Sequence, residues 1–423
     1  MNKKIFIFVL SLIIALTILP MIQNAAAAQS NVSVLIDGLP LQSDAEPVIM
    51  NGYTLLPFRS IAEALNVNVD WDGGTNTITA WNQETKVILQ INNKTAVVDG
   101  IAGNHSTVNL EAPPIILNNR TLLPLRFFGE AFSCQVSWNN ESREVSINSP
   151  RKDMTVVGFY ALGDEKTSSW QNLFAKPYPE TSPGNTDAVG GLALGWYSLD
   201  EQGNLTTVST TGWQRPEGWE IVLQQAAAFK LNTEMVVHLT DSGSMITNLL
   251  KDPAVRTKAV NSIKNEARSY QGVNLDFEGL GWENGQSSGI NNEFTAFVSE
   301  LSNELKPEGL NLTLSLHPLN SVYQGYDYHA LGEAADSIII MAYDYGVKPE
   351  PENMVIQAVE LALNSVPADK LVLGISLPNE TPRSLAAKIG IAKRYNLQGI
   401  ALWRLGLISE PMWDVIKANV HPM

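Results

Sequence analysis

The chain is 423 residues long and carries 43 acidic against 28 basic residues, a formal net charge of -15. That balance repels nucleic-acid backbones and anionic lipid, and no basic stripe offsets it. One cysteine, Cys134, excludes an internal disulfide, and five scattered histidines give no metal-ligand spacing. A chain of this length can hold itself together by an apolar core, and no cofactor is expected.

Lys3 and Lys4 precede an apolar run from Ile5 to Met21 that ends in Ala25-Ala26-Ala27-Ala28. This is the pattern of a secretory leader cut near Ala28, which predicts a secreted or wall-associated chain with no membrane contact after cleavage. No later segment reaches the ~20 uninterrupted apolar residues of a spanning helix.

An internal repeat follows. Pro47-Val-Ile-Met-Asn-Gly-Tyr-Thr-Leu-Leu-Pro-Phe-Arg59 recurs as Pro114-Ile-Ile-Leu-Asn-Asn-Arg-Thr-Leu-Leu-Pro-Leu-Arg126, and Val69-Asp70-Trp71 recurs as Val136-Ser137-Trp138. Each copy reads strand, turn, short helix, strand, with Asn51-Gly52 and Asn118-Asn119 at the turns. A small α+β module over residues 29–150 is expected, after a leader at 1–28 and before a larger unit at 151–423. Arg59 and Arg126 suit either an anionic wall polymer or an ion pair or cap within each copy. Cys134 reads as a small buried apolar residue.

From Asp153 short apolar runs alternate with helical patterns, as in a parallel α/β fold. Strands are expected at Thr155–Tyr160, Ala188–Tyr197, Glu234–His238, Val273–Glu278, Asn311–Leu316, Ser337–Ala342, Leu371–Ile375 and Gly399–Leu402. Helical patterns lie between most of them. Eight such strands predict a (β/α)8 TIM barrel, whose chemistry sits at the C-terminal ends of the strands.

The fourth strand reads Gly272-Val-Asn-Leu-Asp-Phe-Glu278. Alternation puts Asn274, Asp276 and Glu278 on one face and Val273, Leu275 and Phe277 on the other. Burying two carboxylates costs several kcal/mol each unless they are bonded or protonated, on the order of the penalties for unpaired buried charge. Neighbouring acids on one face split their pKa values so that one keeps a proton near neutrality, as a general acid requires. An internal ion-pair network would instead need a basic partner, for which His238 and Arg404 are the candidates.

The segment resembles the glycoside hydrolase family 18 signature, Asp-Gly-x-Asp-x-Asp-x-Glu, with Gln271 and Asn274 in place of its first two acids and Asp276 and Glu278 intact. Met341-Ala-Tyr-Asp-Tyr345, Leu402-Trp403 and Ser315-Leu-His-Pro318 agree with that family at three further strand ends. Within it, Gly-Val-Asn-Leu-Asp-Phe-Glu and the run from Tyr326 to Glu333 are most similar to the spore-cortex and cell-wall N-acetylglucosaminidase branch. The repeat module resembles the stalk named after the N-terminal domain of copper amine oxidases, a name that implies no copper here.

The family resemblance implies substrate-assisted retaining hydrolysis of N-acetylglucosamine polymers, without an enzyme nucleophile. Glu278 would protonate the leaving oxygen, Asp276 would hold the acetamido N–H, and Tyr343 its carbonyl. Asn274, Asp344, Trp403 and Tyr345 would contact the sugar, with Trp403 as the floor. Trp196, Tyr197, Trp213, Trp219 and Trp282 are candidates for an extended sugar track. A direct passage from strand seven through Ser376–Pro382 into a helix implies an open cleft. The expected partner is a glycan, with a wall polymer on the module, and the chain acts as a monomer. Two alternatives stay open: a lectin-like barrel without catalysis, and a structural wall protein. Chitin, peptidoglycan and N-linked glycan cores are all open as substrates.

Overall fold

The computed structural model describes residues 32–423, apart from 44, 51, 101–102, 162–167, 209–213 and 283–286. The leader read at residues 1–28, and Trp213, lie outside the described residues. Among the described residues no helix is long and apolar enough to cross a membrane.

Each repeat copy folds as a hairpin, a seven-residue helix and a second hairpin. In the first copy these are Val48–Met50, Tyr53–Pro57, Phe58–Ala64, Asn68–Asp72 and Thr77–Trp81. In the second they are Ile115–Leu117, Arg120–Pro124, Leu125–Ala131, Gln135–Asn139 and Glu144–Asn148. The copies meet antiparallel through Leu56 opposite Leu123, with Leu55 opposite Pro124 and Pro57 opposite Leu122. Repeat-equivalent residues thus face each other across an approximate two-fold axis. Phe58 and Phe128 pack edge to face at 5.4 Å within the shared core, and Cys134 is buried beside them. Burial pushes its thiol up to about 12, in keeping with the inert role expected.

The module lies against the barrel helix Pro382–Arg394. Asp37 stands 3.5 Å from Lys393 and accepts from the Ser149 N–H and hydroxyl. A side chain at Gly390 would meet the Asp37 carbonyl, so glycine there lets the two backbones touch.

Eight parallel strands then close a cylinder: Lys152–Tyr160, Gly191–Leu199, Asn232–Thr240, Gly272–Glu278, Asn311–Leu316, Ser337–Ile340, Leu371–Ser376 and Gly399–Trp403. They pair in chain order, and the first pairs with both the second and the eighth. The expected (β/α)8 barrel is the observed one. Strand two begins at Gly191 rather than Ala188 because Thr186–Ala188 is a 3-10 turn. Strand six ends at Ile340, two residues early, where the chain turns through Ala342 and Tyr343.

Local chemistry explains the covering helices. Asp252 caps Pro253–Ala267 by accepting from the Ala254 and Val255 N–H groups, with proline at the first helical position. Thr381 and Ser384 cap Pro382–Arg394 reciprocally. Outward residues such as Val273, Leu275 and Phe277 pack on these helices with the fully buried Trp170, Trp196 and Trp413. Truncating one such tryptophan to alanine costs roughly 3–5 kcal/mol.

The inward faces divide in two. Val157, Phe159, Ala193, Val236, Ile339, Val372 and Ala401 form an apolar cluster. On strands three to five the other inward positions, around Val236, are instead Glu234, His238, Asn274, Asp276, Thr313 and Ser315, and the network among them is described next.

Candidate active site

Strand four delivers its acids to the C-terminal mouth. Asp276 is buried, and its Oδ1 has no hydrogen-bond partner. Glu278, at the strand end, is partly exposed. His238 on strand three is in register with Asp276, and its Nε2 lies 3.4 Å from Glu278 Oε1. His317, just beyond strand five, places Nε2 4.0 Å from the other Glu278 oxygen, too far for a hydrogen bond.

These contacts set the protonation. Burial, then the neighbouring Glu278 charge, pushes Asp276 up to about 7, against the opposing pull of His238. Burial works the same way on Glu278, but His238, by hydrogen bond and by charge, and then His317 outweigh it and hold that carboxyl below its usual range. Burial lowers His238, but Glu278 and Asp276 outweigh it and raise it overall. Burial keeps His317 below its ordinary value. The two acids are thus pushed apart: Asp276 keeps its proton to higher pH, and Glu278 is held toward its ionised form beside His238. The proton is favoured on the deeper acid, whereas the sequence reading makes Glu278 the proton donor.

A second polar layer supports the first. Ser315 donates to Asn274 Oδ1 at 2.9 Å, Asn274 Nδ2 donates to Glu234 Oε2 at 3.3 Å, and Thr313 donates to Glu234 Oε1 at 2.6 Å. Burial pushes Glu234 up to about 7. Asn274 was expected to touch the sugar; it is fully buried below Asp276 with both ends of its amide taken by Ser315 and Glu234.

Tyr343 and Asp344 leave strand six toward the same mouth. A Cβ at Gly374 would come 3.2 Å from Tyr343 Cε1 and 2.8 Å from the Ile340 carbonyl, so glycine on strand seven makes room for the ring. Burial raises the Tyr343 hydroxyl well above its usual range, and the Asp276, Glu278 and Asp344 carboxylates add to it. Asp344 adopts a left-handed backbone, φ +63, and is exposed. Buried Glu350 holds this turn by accepting from the Asp344 N–H at 2.9 Å and the Tyr345 N–H at 3.1 Å. Asn379 bridges the two acids, donating to Asp344 Oδ1 at 3.0 Å and Glu350 Oε1 at 2.7 Å.

Trp403 ends strand eight on the interior cluster, edge to face with Phe159 at 5.1 Å. Tyr345 departs from expectation, because its hydroxyl donates to Asn320 Oδ1 at 3.0 Å and its ring packs on the outer core. Trp196 and Tyr197 are corrected likewise: both are fully buried. Trp219 stacks under Arg215 at 4.6 Å. Trp282 is 61% exposed and leans on Tyr323 at 5.1 Å, and Tyr323 in turn stacks on His317 at 4.0 Å. A groove of about 420 Å³ runs past Trp282, Tyr323 and Gly279 from the end of strand four.

Sequence reasoning offered His238 only as the basic partner of an ion-pair network, and it missed His317, Glu234, Glu350 and Asn379 as members of the site. The signal for two of them was present, since Glu234, Val236 and His238 alternate on one strand face. His238, Asp276 and Glu278 also place one ligand atom each within 4.8 Å of one another, a spacing that a cation could use.

Residues 206–379 match the family model "Glycosyl hydrolases family 18", and residues 35–147 match "Copper amine oxidase N-terminal domain". The chain is 24% identical to the "Cortical fragment-lytic enzyme" of Bacillus subtilis (strain 168), over 40% of this chain and 54% of that protein. It is 29% identical to the "Putative sporulation-specific glycosylase YdhD" of the same organism, over 34% of this chain and 36% of that one. The chain thus spans about half or less of the curated relatives it matches. In fold it is similar to the spore cortex-lytic enzyme SleL of Bacillus megaterium QM B1551, with TM-score 0.54 and 16% identity over 74% of this chain and 80% of that one. The chitinase of Chromobacterium violaceum ATCC 12472 superposes with TM-score 0.53 and 19% identity over 63% of this chain and 98% of that one. Residues 206–379 therefore belong to glycosyl hydrolases family 18, and residues 35–147 are a copper amine oxidase N-terminal domain.

Proposed function

We propose that the chain is an exported glycosidase that hydrolyses β-linked N-acetylglucosamine polymers, peptidoglycan or spore cortex in the first place and chitin in the second. The observation that carries this reading is the acid pair at the end of strand four, with Asp276 buried and its Oδ1 without a partner, Glu278 3.4 Å from His238, and Tyr343 close by. A sugar ring stacked on Trp403 brings its acetamido group between Asp276 and Tyr343. Its N–H favours the ionised form of Asp276, so the proton passes to Glu278, which gives it to the leaving oxygen. The acetamido oxygen attacks the anomeric carbon, the C–O bond to the leaving sugar breaks, and Asp276 steadies the positive charge on the resulting ring. Glu278, now ionised, takes a proton from the water that reopens the ring, with retention of configuration.

Asp344 contacts the same sugar, and the turn held by Glu350 and Asn379 keeps it in place. Only Leu377–Thr381 separate strand seven from its helix, which supports an open cleft suited to a cross-linked polymer. Cleavage near Ala28 places the chain at the wall. The module holds the wall polymer, and the chain works as a monomer.

A non-catalytic glycan-binding barrel is favoured by one observation: His238 Nε2 lies 3.4 Å from Glu278 Oε1 and holds that carboxyl below its usual range. The two readings part in one experiment. Purified chain and its Glu278→Gln variant are incubated with peptidoglycan sacculi and with chitin oligomers, and new reducing ends are measured. Release by the parent alone supports the glycosidase; binding without release by either protein supports the lectin.

A further inference from the structure

The repeat module carries two grooves that are images of each other. One, of about 380 Å³, is roofed by Ile49 and Tyr53 of the first copy and floored by Arg126 and Trp138 of the second. The other, of about 800 Å³, is roofed by Ile116 and Arg120 of the second copy and floored by Arg59 and Trp71 of the first. Adding the repeat spacing converts each residue of one set into its counterpart, with Tyr53 exchanged for Arg120. Neither groove exists in a single copy, because the hairpin of one copy closes over the helix and strand of the other.

Both grooves present apolar groups that folding alone does not explain. Trp71 is 38% exposed, Trp138 44%, Ile49 47% and Ile116 49%. Exposed apolar clusters of this kind mark binding surfaces in soluble proteins.

Charge points to the ligand. The basic residues of positions 31–149 are Arg59, Lys86, Lys94, Arg120, Arg126 and Arg143, in a module with more acids than bases. All four arginines stand at the grooves: Arg59 and Arg120 line one, Arg126 lines the other, and Arg143 lies 5.9 Å from the Trp138 ring. Among the described residues each groove also holds a carboxylate, Glu111 at 3.7 Å from Arg126 in one and Glu63 in the wider one, so the arginines are gathered at the grooves and not spread over the module. An indole beside a branched aliphatic offers a shelf for the flat apolar side of a pyranose, and guanidinium is the group suited to carboxylate.

We infer that the two grooves are a pair of binding sites for one polymer of β-linked amino sugars that bears carboxylates at regular intervals, as peptidoglycan does through the peptides attached to its muramic acid. A duplicated site fits a periodic ligand, and two weak linked sites give an affinity that neither has alone. The choice of an amino-sugar polymer rests on the reading of the barrel given above; the grooves themselves do not.

The test uses the full chain in a Glu278→Gln background, so that cleavage plays no part, with sacculi freed of phosphate polymers by hydrofluoric acid. Trp71→Ala/Trp138→Ala is expected to weaken binding at least about tenfold, and each single change by less, since linked sites multiply. Arg59→Glu/Arg126→Glu, at exposed positions that leave the fold intact, is expected to weaken binding to sacculi similarly and to leave binding to neutral chitin unchanged. Equal binding by the parent and both double variants would overturn the inference. So would loss of binding caused by the hydrofluoric acid treatment itself, which would assign the grooves to a polyphosphate. Light scattering that shows a dimer abolished by Trp71→Ala/Trp138→Ala would assign them to self-association. Failure of the barrel reading shows elsewhere, as absence of reducing ends from the parent chain.

Discussion

Strands seven, eight and one fill their share of the barrel interior with Val372, Ala401, Val157 and Phe159, whereas strands three to five fill theirs with Glu234, His238, Asn274, Asp276, Thr313 and Ser315. The apolar arc stabilises the cylinder by burial and asks nothing of solvent. The polar arc carries a cost: it holds Asp276 Oδ1 without a partner and Glu234 under a strong desolvation penalty. A buried acid whose bonds are incomplete is what a fold keeps where a substrate completes them. The contrast also explains how one side of the barrel can react while the other serves as a floor for Trp403.

Substitutions can break this division. The largest effect is expected from Glu278→Gln, a loss of roughly 10²–10⁴ in kcat, the usual contribution of a general acid, with thermal stability retained. Asp276→Asn comes next, with kcat lowered about 10²-fold and KM changed little, because the charge it supplies matters most once the sugar ring becomes positive. Steady-state rates on a defined oligosaccharide separate the two quantities. Gly374→Ala probes the boundary between the arcs: the added methyl presses on the Ile340 carbonyl and the Tyr343 ring, and activity should fall several-fold while binding of Trp403-stacked sugar persists.

Protonation gives subtler tests. The pair needs one proton, and Asp276 holds it up to about 7, so kcat/KM should decline as pH rises through that value. His238 draws both acids down; His238→Gln therefore moves the alkaline limb to higher pH, and a limb that stays in place would remove His238 from the account. The stability sign is opposite to that of a salt-bridged acid. Glu234 and Asp276 keep protons in the folded chain that the unfolded chain has released, so folding stability falls as pH rises from about 4 to about 7. Glu234→Gln should flatten that slope in a Tm series. The smallest effect is expected from a chelator, which should leave activity unchanged if the cluster of His238, Asp276 and Glu278 handles a proton and not a cation.

The barrel and the acid pair were legible because they are written in short-range pattern: alternation on Gly272–Glu278 and apolar runs separated by helical periods. Glu234 and His238 obey the same alternation two positions either side of Val236, yet the sequence offered His238 only as the basic partner of an ion-pair network, and its place beside Glu278 shows once strands three and four are in register. Trp196 and Tyr197 show the reverse failure, since strand-end aromatics suggested a sugar track and tertiary packing buried both. The repeat was plain in sequence, but the grooves were not. They arise only when Leu56 meets Leu123 and each hairpin crosses to the other copy. The clamp of Glu350 and Asn379 on Asp344 joins strands six and seven through contacts about 30 residues apart in the chain, which no local pattern records.

The claim on which the account turns is the position of one proton in the free site. A carbon-13 titration of chain labelled only at aspartate carboxyl carbons measures it, because Glu234 and Glu278 are then silent. The account requires one aspartate that titrates near 7 and disappears in Asp276→Asn. If every aspartate instead titrates in the ordinary carboxylate range, Asp276 holds no proton at neutrality, and the relay to Glu278 has no source.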